Sequence, residues 1–353
     1  MLIVVIDPGS TSTKLGVFKN HKIIKKTISH DRKEIDACQT IFDQKDFRFN
    51  VIKQILGELL DNTEKVDAVV GRGGLMKPIQ GGVYRVNDRM IEDLKVGVMG
   101  QHAANLGGII ARELSLIYGC EAYITNPPVI DEMLPIAKVS GFKGVERKSM
   151  FHALNHKATA LKVSEKIGKR YEDINLIVAH LGGGISIGIH SKGKVVDVNN
   201  ALDGDGPFSP ERTGGLPVDG VLELLKKNLY TIDELRSVVS RKGGLYSYLN
   251  TIDLKEVEKM IDNGDENAKL YYEAMGYQVS KEIGALSTVV NGNLDGIVLT
   301  GGLAYSDRFV KLITDRISFL GRIFVEPGEN EIEALIDAGI RVLSGKEIPK
   351  EYS

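Results

Sequence analysis

Ile3-Val4-Val5-Ile6-Asp7-Pro8-Gly9-Ser10-Thr11-Ser12-Thr13-Lys14-Leu15-Gly16-Val17, running on to Lys22-Ile23-Ile24, returns in weakened form in the second half of the chain. The second copy is Leu176-Ile177-Val178-Ala179-His180-Leu181-Gly182-Gly183-Gly184-Ile185-Ser186-Ile187-Gly188-Ile189, followed by Lys194-Val195-Val196. Gly9 maps to Gly182 at an offset of 173 and Lys22 to Lys194 at 172, so the second copy is one residue shorter. Each copy reads as a buried β-branched strand, a Gly/Ser/Thr turn and a second strand. Such a turn can aim several backbone N–H groups and hydroxyls at an anion, because glycine permits close approach and φ > 0. Two such hairpins facing one another would hold one polyphosphate from both sides.

A chain of 353 residues exceeds one ordinary domain, and a prior of roughly 150 residues per domain predicts two. Apolar residues make up 42% and charged residues 26%, with both signs mixed and a net charge of -2. That balance gives no bulk attraction to nucleic acid or to a membrane. Cys38 and Cys120 are the only cysteines and form no C-x-x-C pair, which argues for a reducing compartment. The N-terminus runs straight into a strand pattern without the marks of a secretory leader, and no apolar run approaches about 18 residues. A cytoplasmic protein is expected.

Strand patterns are predicted at 2–6, 15–18, 22–28 and 66–70, and helical spacing at 50–61, 90–116 and 146–169. A second strand set begins at 174–179. Asn199 to Pro217 is rich in Gly, Pro, Asp and Ser and reads as a long ordered loop or a lid. Helices are predicted at 219–228, 232–240, 253–262 and 265–290, then a buried strand at 296–299 and a helix from about Ser306. A short strand at 323–325 precedes a last helix over about 331–345. Alternation on this scale predicts two α/β domains built around mixed sheets.

The first turn, Asp7 to Lys14, is not a Walker A loop, because Gly-x4-Gly-Lys-Ser/Thr is absent. A lone copy would read as an ordinary hairpin; the duplicate at 182–186 makes an anion site the better reading. Thr300-Gly301-Gly302-Leu303-Ala304 stands between a strand and a helix, where paired glycines let the backbone approach a flat ligand or a phosphate. Arg72, between Gly71 and Gly73-Gly74 at a strand end, presents a fork suited to a carboxylate or a transferring phosphoryl group. His180 closes its strand just where Asp7 closes the first, so both should face the ligand. His152 and His156 are four apart on a helix, but Ala153 stands where the zinc-protease pattern needs Glu. Asp203 and Asp205-Gly206 fail the EF-hand register, which would put Ala201 and Arg212 at ligand positions.

Together these segments resemble the phosphate-1, phosphate-2 and adenosine segments of the superfamily of acetate and sugar kinases, heat-shock chaperone ATPases and actin. Within it, Phe151-His152-Ala153-Leu154-Asn155-His156, Gly71-Arg72-Gly73-Gly74 and Arg212-Thr213-Gly214-Gly215 resemble motifs of the acetokinase family. Asn199 to Arg212 is most similar to the family's butyrate kinase branch. The resemblance covers nearly the whole chain. It implies an α/β protein of two duplicated ribonuclease H-like (actin-like ATPase) domains, 1–150 plus 331–353 and 151–330, with a nucleotide cleft between them. It implies reversible phosphoryl transfer from ATP to a short carboxylate, giving ADP and an acyl phosphate, with Mg2+ required and a homodimer or larger homo-oligomer expected. Butyrate is the first substrate expected; isobutyrate and other branched acids, acetate and propionate are alternatives.

By position, the resemblance makes Arg72, His152, His180 and Arg212 the catalytic set. It gives Asp7, Gly9, Ser10, Thr11, Thr13, Lys14, Gly182, Gly183, Gly184, Asp205, Gly301, Gly302 and Leu303 to the nucleotide, and Glu331 with Asp7 to the metal. Asp7 departs from the family's usual Asn. An acidic residue of the acetate kinases falls near Asn126 here, with Asp131 the nearest carboxylate. Val83, Val86, Pro127, Pro128, Val129 and Ile130 are candidates to line an acyl pocket. A sugar kinase would want an aspartate base to deprotonate a hydroxyl. A non-transferring nucleotide switch would want a large appended partner-binding region.

A short fatty acid has a pKa close to that of Glu, about 4.3, so at neutral pH it is already an anionic nucleophile and needs no general base. The obstacle is bringing that anion to a triphosphate, which costs several kcal/mol at a few ångström in a low effective dielectric. Arginine forks, imidazoles and Mg2+ are the residue types and ion that offset it.

Overall fold

Leu2–Pro8 (β1) is apolar on both faces and every residue is buried, as a central strand with parallel neighbours requires. In the computed structural model, which describes residues 1–61 and 63–353, the chain divides into two units, Met1–Ile130 with Asn330–Ser353, and Asp131–Glu329. The first unit adds Ser12–Lys19 (β2), Lys22–Ser29 (β3), Ala68–Arg72 (β4), Val83–Arg85 (β5) and Glu121–Thr125 (β6) to β1. Their order in the sheet is β3-β2-β1-β4-β6-β5. β1 pairs antiparallel with β2 and parallel with β4, and β4 pairs parallel with β6. The outer strand β3 exposes Lys22, Lys25 and Lys26, a charge pattern that discourages edge-to-edge pairing.

The second unit holds Asn175–Leu181 (β7), Ile185–Ser191 (β8), Lys194–Val198 (β9), Gly296–Gly301 (β10) and Ile323–Pro327 (β11). Its order, β11-β10-β7-β8-β9, reproduces the first sheet strand for strand, apart from the extra edge β5. The antiparallel and parallel pairings match as well. The sequence repeat is therefore a repeat of topology: β1-β2-β3 corresponds to β7-β8-β9. Both hairpin turns are three residues, 9–11 and 182–184.

Two helices cover the first sheet: Asn105–Tyr118 against β4 and β6, and Glu331–Leu343 against β1 and β4. The former approaches so closely that a Cβ on Gly71 would collide with the backbone of Gly107, which explains the glycine before Arg72. In the second unit Ala153–Ile167 packs on β7 and β10, and Glu266–Ser287 on β7 and β8. The latter carries Tyr272, Met275, Val279, Ile283 and Leu286 into the apolar core with Ile187, Leu299 and Phe309.

Three boundaries differ from those read in the sequence. The helical stretch at 90–116 is two helices, Asp88–Val96 and Asn105–Tyr118, broken where Gly97 (φ 70°) and Gly100 (φ 131°) turn left-handed. The helix read from Glu146 starts at Ala153. Residues 131–150 belong with the second unit, so the junction lies at 130/131 rather than 150/151. The cause is hydrogen bonding to β9: Leu134 N–H donates to Val196 O (2.9 Å), and Arg147 binds Asp197 (2.8 Å) and Val198 O (3.2 Å).

Candidate active site

The parallel register of β1 and β4 sets Ile6 beside Gly71, so Asp7 and Arg72 emerge together at the carboxyl end of the sheet, where α/β folds bind ligands. Glu331 opens the helix Glu331–Leu343 at the same place. Arg72 Nη1 donates to Asp7 Oδ1 (2.9 Å) and lies 2.7 Å from Glu331 Oε1, while Lys14 Nζ reaches Glu331 Oε2 at 2.9 Å. Burial, together with the neighbouring Glu331 carboxylate, outweighs the pull of Arg72 and pushes Asp7 up to about 7. Burial also pushes Glu331 upward, but Arg72, the hydrogen bond from Asp7 and Lys14 outweigh it and hold Glu331 down, near 2.

Two adjacent buried carboxyls are hard oxygen donors of the kind Mg2+ accepts, since Mg2+ is usually held by one or two carboxylates with substrate phosphates and waters. No cluster of three or more metal-binding side chains occurs among the described residues. The donor set fits an ion shared with phosphates rather than an all-protein cage.

The first turn, Gly9 to Thr11, exposes Ser10 and Thr11 at its tip and is braced by a residue the sequence reading missed. Arg48, fully buried, donates five hydrogen bonds: to the carbonyls of Gly9 (2.9 Å), Ser10 (3.1 Å) and Ser12 (3.3 Å), to Thr13 Oγ1 (3.1 Å) and to Gln44 Oε1 (2.8 Å). Drawing three carbonyls inward leaves the outer side of the turn to N–H groups and hydroxyls. The only signal in the sequence was an arginine on the inner face of the helix Lys45–Leu59. The buried hydroxyl of Thr13 is engaged by Arg48 and by His30 Nε2 (2.8 Å), so its side chain supports the turn. Gly9 and Gly182 to Gly184 are absent from the positive-φ residues, so these glycines serve close approach and not a left-handed turn.

In the second unit His180 ends β7 and His152 precedes the helix Ala153–Ile167. Their rings stack at 3.8 Å and 11°. His180 Nδ1 lies 2.9 Å from Asn155 Oδ1, and His152 Nδ1 lies 2.9 Å from Ser186 Oγ. Asn155 and Ser186, also missed from sequence, fix the two rings. The long loop after Asn199 is ordered by its own side chains and carries Arg212 to the glycine turn. Ser209 Oγ donates to Gly183 O (2.5 Å) and accepts from Arg212 N–H (3.1 Å), while Arg212 Nη1 donates to Ala201 O (2.8 Å). A Cβ on Gly184 would overlap the Arg212 guanidinium. Arg212 Nε is buried and has no hydrogen-bond partner among the described residues, which marks it as a donor awaiting a ligand.

The Asp205 carboxylate accepts from Asn200 N–H (3.1 Å) and Gly206 N–H (2.9 Å) and sits 3.5 Å from Arg147, so it ties the loop together. Gly301 (φ 89°) leaves no room for a Cβ against Leu181, whereas Gly302 has nothing within 4 Å and Leu303 is half-buried in the single turn Gly302–Tyr305. Asn126 hydrogen-bonds Gly82 and Asp131 pairs with Lys138 (2.5 Å); neither joins the two clusters. Val83, Val86, Val129 and Ile130 are core side chains, buried to 4% exposure or less.

Residues 134–340 match the acetokinase family, and butyrate kinase 1 of Clostridium acetobutylicum is 50% identical over 351 residues, 99% of each chain. This chain belongs to the acetokinase family. Among solved structures, the acetate kinase of Porphyromonas gingivalis is 20% identical and superposes with a TM-score of 0.78, over 96% of this chain and 99% of that one. The ROK hexokinase of Thermus thermophilus, 15% identical, reaches 0.52 over 98% and 100%. The fold is accordingly the duplicated actin-like ATPase fold, and it is shared by carboxylate and sugar kinases alike. Fold therefore does not choose the acceptor. Family membership and the residues at the strand ends do.

Proposed function

We propose that this acetokinase-family chain is a butyrate kinase, which transfers the γ-phosphoryl group of ATP to the carboxylate of butanoate and reversibly gives butanoyl phosphate and ADP. The observation that carries this reading is the 50% identity with a butyrate kinase over 99% of both chains. The clusters support it: two arginines, two stacked imidazoles and a carboxylate pair suit an anionic acceptor. No isolated aspartate base of the kind a sugar hydroxyl needs joins them.

In this reading transfer is direct and in line. Arg72, Arg212 and His152 each supply a preplaced donor to the planar phosphoryl group, the feature that stabilises a transition state most, and His180 stacks on His152. Gly9, Ser10, Thr11, Lys14 and Gly182 to Gly184 bind the phosphates, and Gly301, Gly302 and Leu303 border the adenosine. Asp7 and Glu331 would hold Mg2+, which when bound neutralises charge on the phosphate oxygens.

One methylene in an apolar pocket discriminates by only about 1–3 kcal/mol, so activity on neighbouring acids, including isobutyrate, is expected. Hydroxylamine trapping of the acyl phosphate, with coupled detection of ADP over C2 to C6 acids, tests the reading. Absence of hydroxamate from butyrate and its neighbours sinks it. We also infer a homo-oligomer from the exposed apolar residues Val218, Leu222, Leu229 and Ile232; a solution mass of 38.6 kDa by light scattering would refute it. The two unpaired cysteines suit the cytoplasm, and no helix among the described residues is long and apolar enough to cross a membrane.

A further inference from the structure

Behind His152 lies a chain of buried polar groups that the proposed reaction does not use. Ser186 Oγ is 2.9 Å from both His152 Nδ1 and His156 Nε2. His156 Nδ1 faces His190 Nε2 at 3.3 Å, and His190 Nδ1 faces Tyr171 OH at 2.7 Å. Ser186, His156 and His190 have no exposed surface and Tyr171 only 7%. His190 sits at a register shift in the β8–β9 pairing, the kind of irregularity that re-aims a side chain.

The proton positions along this chain follow from its two ends. The Tyr171 hydroxyl is buried and His190 is its one hydrogen-bond partner among the described residues. A buried O–H left undonated is costly, so Tyr171 donates to His190 Nδ1. His190 must then carry its proton on Nε2 and donate to His156 Nδ1, which places the His156 proton on Nε2. The other end agrees independently: His156 Nε2 also faces Ser186 O at 3.2 Å, a carbonyl that can only accept. Ser186 Oγ accepts from His156, and also from His152 N–H at 3.4 Å. Its own proton therefore goes to the remaining neighbour, His152 Nδ1.

We infer that Tyr171, His190, His156 and Ser186 form a directional hydrogen-bond chain that holds neutral His152 in the Nε2–H tautomer, as a donor to the transferring phosphoryl group. This deepens the kinase reading above and rests on it only for the identity of the acceptor. The stacked partner ring is set the opposite way. Asn155 Nδ2 donates to Glu329 O (2.9 Å) and Gly328 O (3.3 Å), so Asn155 Oδ1 faces His180 and the His180 proton is on Nδ1. In their neutral forms the two imidazoles present one donor and one acceptor nitrogen, fixed by separate supports. Burial pushes His156 down to about 3 and His190 well below its ordinary value, which keeps both relay imidazoles neutral, as a one-way chain needs. These four are positioning residues; only His152 would touch the substrate.

The test is the ring-nitrogen NMR spectrum of the full chain labelled with 15N-histidine, at about pH 8.5 where ordinary imidazoles are neutral. Seven histidines can be assigned by single His→Gln spectra. The expected wild-type result is Nε2–H on His152, His156 and His190 and Nδ1–H on His180. In Ser186→Ala, and more weakly in the near-isosteric Tyr171→Phe, His152 should become a mixture of tautomers. The kcat for acyl phosphate formation should fall about tenfold in Ser186→Ala with KM values within about twofold, since only a transition-state donor is disturbed. A proton on His152 Nδ1 in the wild type overturns the inference, as does a pure Nε2–H signal in both variants. If Ser186→Ala does not fold, the wild-type and Tyr171→Phe spectra decide. Expected tautomers without hydroxamate from any acid would refute the kinase reading and leave the chain of protons standing.

Discussion

Gly184→Ala should abolish most activity while leaving the fold in place. Gly184 is absent from the left-handed residues, so alanine meets no backbone strain there. The new Cβ would lie 2.0 Å from Arg212 Nη1 and 2.7 Å from its Cζ. Recovering ordinary van der Waals separation moves the guanidinium by roughly 1.4 Å. That shift breaks the 2.8 Å bond to Ala201 O and moves the unpartnered Nε away from its present direction. A misplacement of about 1 Å in a catalytic group costs about 100-fold, which corresponds to about 2.7 kcal/mol in the barrier. The cost in stability is smaller, about 1 kcal/mol, because what yields is the end of a flexible side chain and water can replace the lost carbonyl bond. Initial rates by hydroxamate formation and a thermal melt separate the two effects. The expected result is a hundredfold lower kcat, roughly, with Tm within about 3 °C of wild type. Turnover at the wild-type level would show that the Arg212 guanidinium is not needed where the structure puts it, and the catalytic assignment would fall.

Three further outcomes are open to measurement. Gly284→Ala, in the helix Glu266–Ser287 with nothing within 4 Å of the new Cβ, should stabilise the protein by about 0.5–1 kcal/mol at unchanged activity; a lower urea midpoint would contradict it. Glu331→Gln should raise the Mg2+ concentration for half-maximal rate about tenfold or more, and an unaltered Mg2+ titration would remove Glu331 from the metal site. His30 is held down to about 4 chiefly by burial, and burial also lowers His156 to about 3 and His190 well below its ordinary value. Below the unfolded value of about 6.5 the unfolded chain therefore binds three protons that the fold refuses. Asp7, raised to about 7, opposes one of them. Stability of the metal-free protein should fall by about 2–3 kcal/mol per pH unit from pH 6 toward 5, read from urea unfolding; a flat profile would show that these histidines are not buried neutral.

What the sequence disclosed and what it hid divide by the range of the contacts involved. The hairpins were legible because β-branched runs and Gly/Ser/Thr turns are local signals, and their duplication made each copy support the other. Arg72 could be singled out because its flanking glycines are adjacent, and the structure explains Gly71 by the backbone of Gly107. Arg48 was invisible because the turn it braces lies 35 to 39 residues away in the chain, and a buried arginine looks the same in sequence as a solvated one. Asn155 passed as a helical filler for the same reason: what it orients, His180, is 25 residues on. The supporting contacts of Thr13 and Asp205 were hidden because motif position does not reveal which way a side chain turns. The junction at 130/131 was misplaced because residues 131–150 are claimed by β9, which lies far downstream.

The two copies diverged in charge as well as in sequence, and the divergence suits the proposed reaction. At the first strand end two buried carboxyls meet Arg72 and Lys14, and burial pushes Asp7 up while the cations hold Glu331 down. At the second strand end the acid is replaced by His180, stacked on His152, with Arg212 as the fixed cation. A lysine in either imidazole's place would attract every phosphate state equally, and uniform binding does not lower a barrier. A neutral imidazole whose donor nitrogen is set by its neighbours acts by direction instead of by charge. It is strongest toward one oxygen position and weak toward the rest, so ADP and acyl phosphate can leave as readily as they form. A reversible kinase has to meet that requirement, and on this reading the second copy meets it with His152, whose donor nitrogen is set through Ser186, while His180 stands in the place of Asp7 and stacks on it.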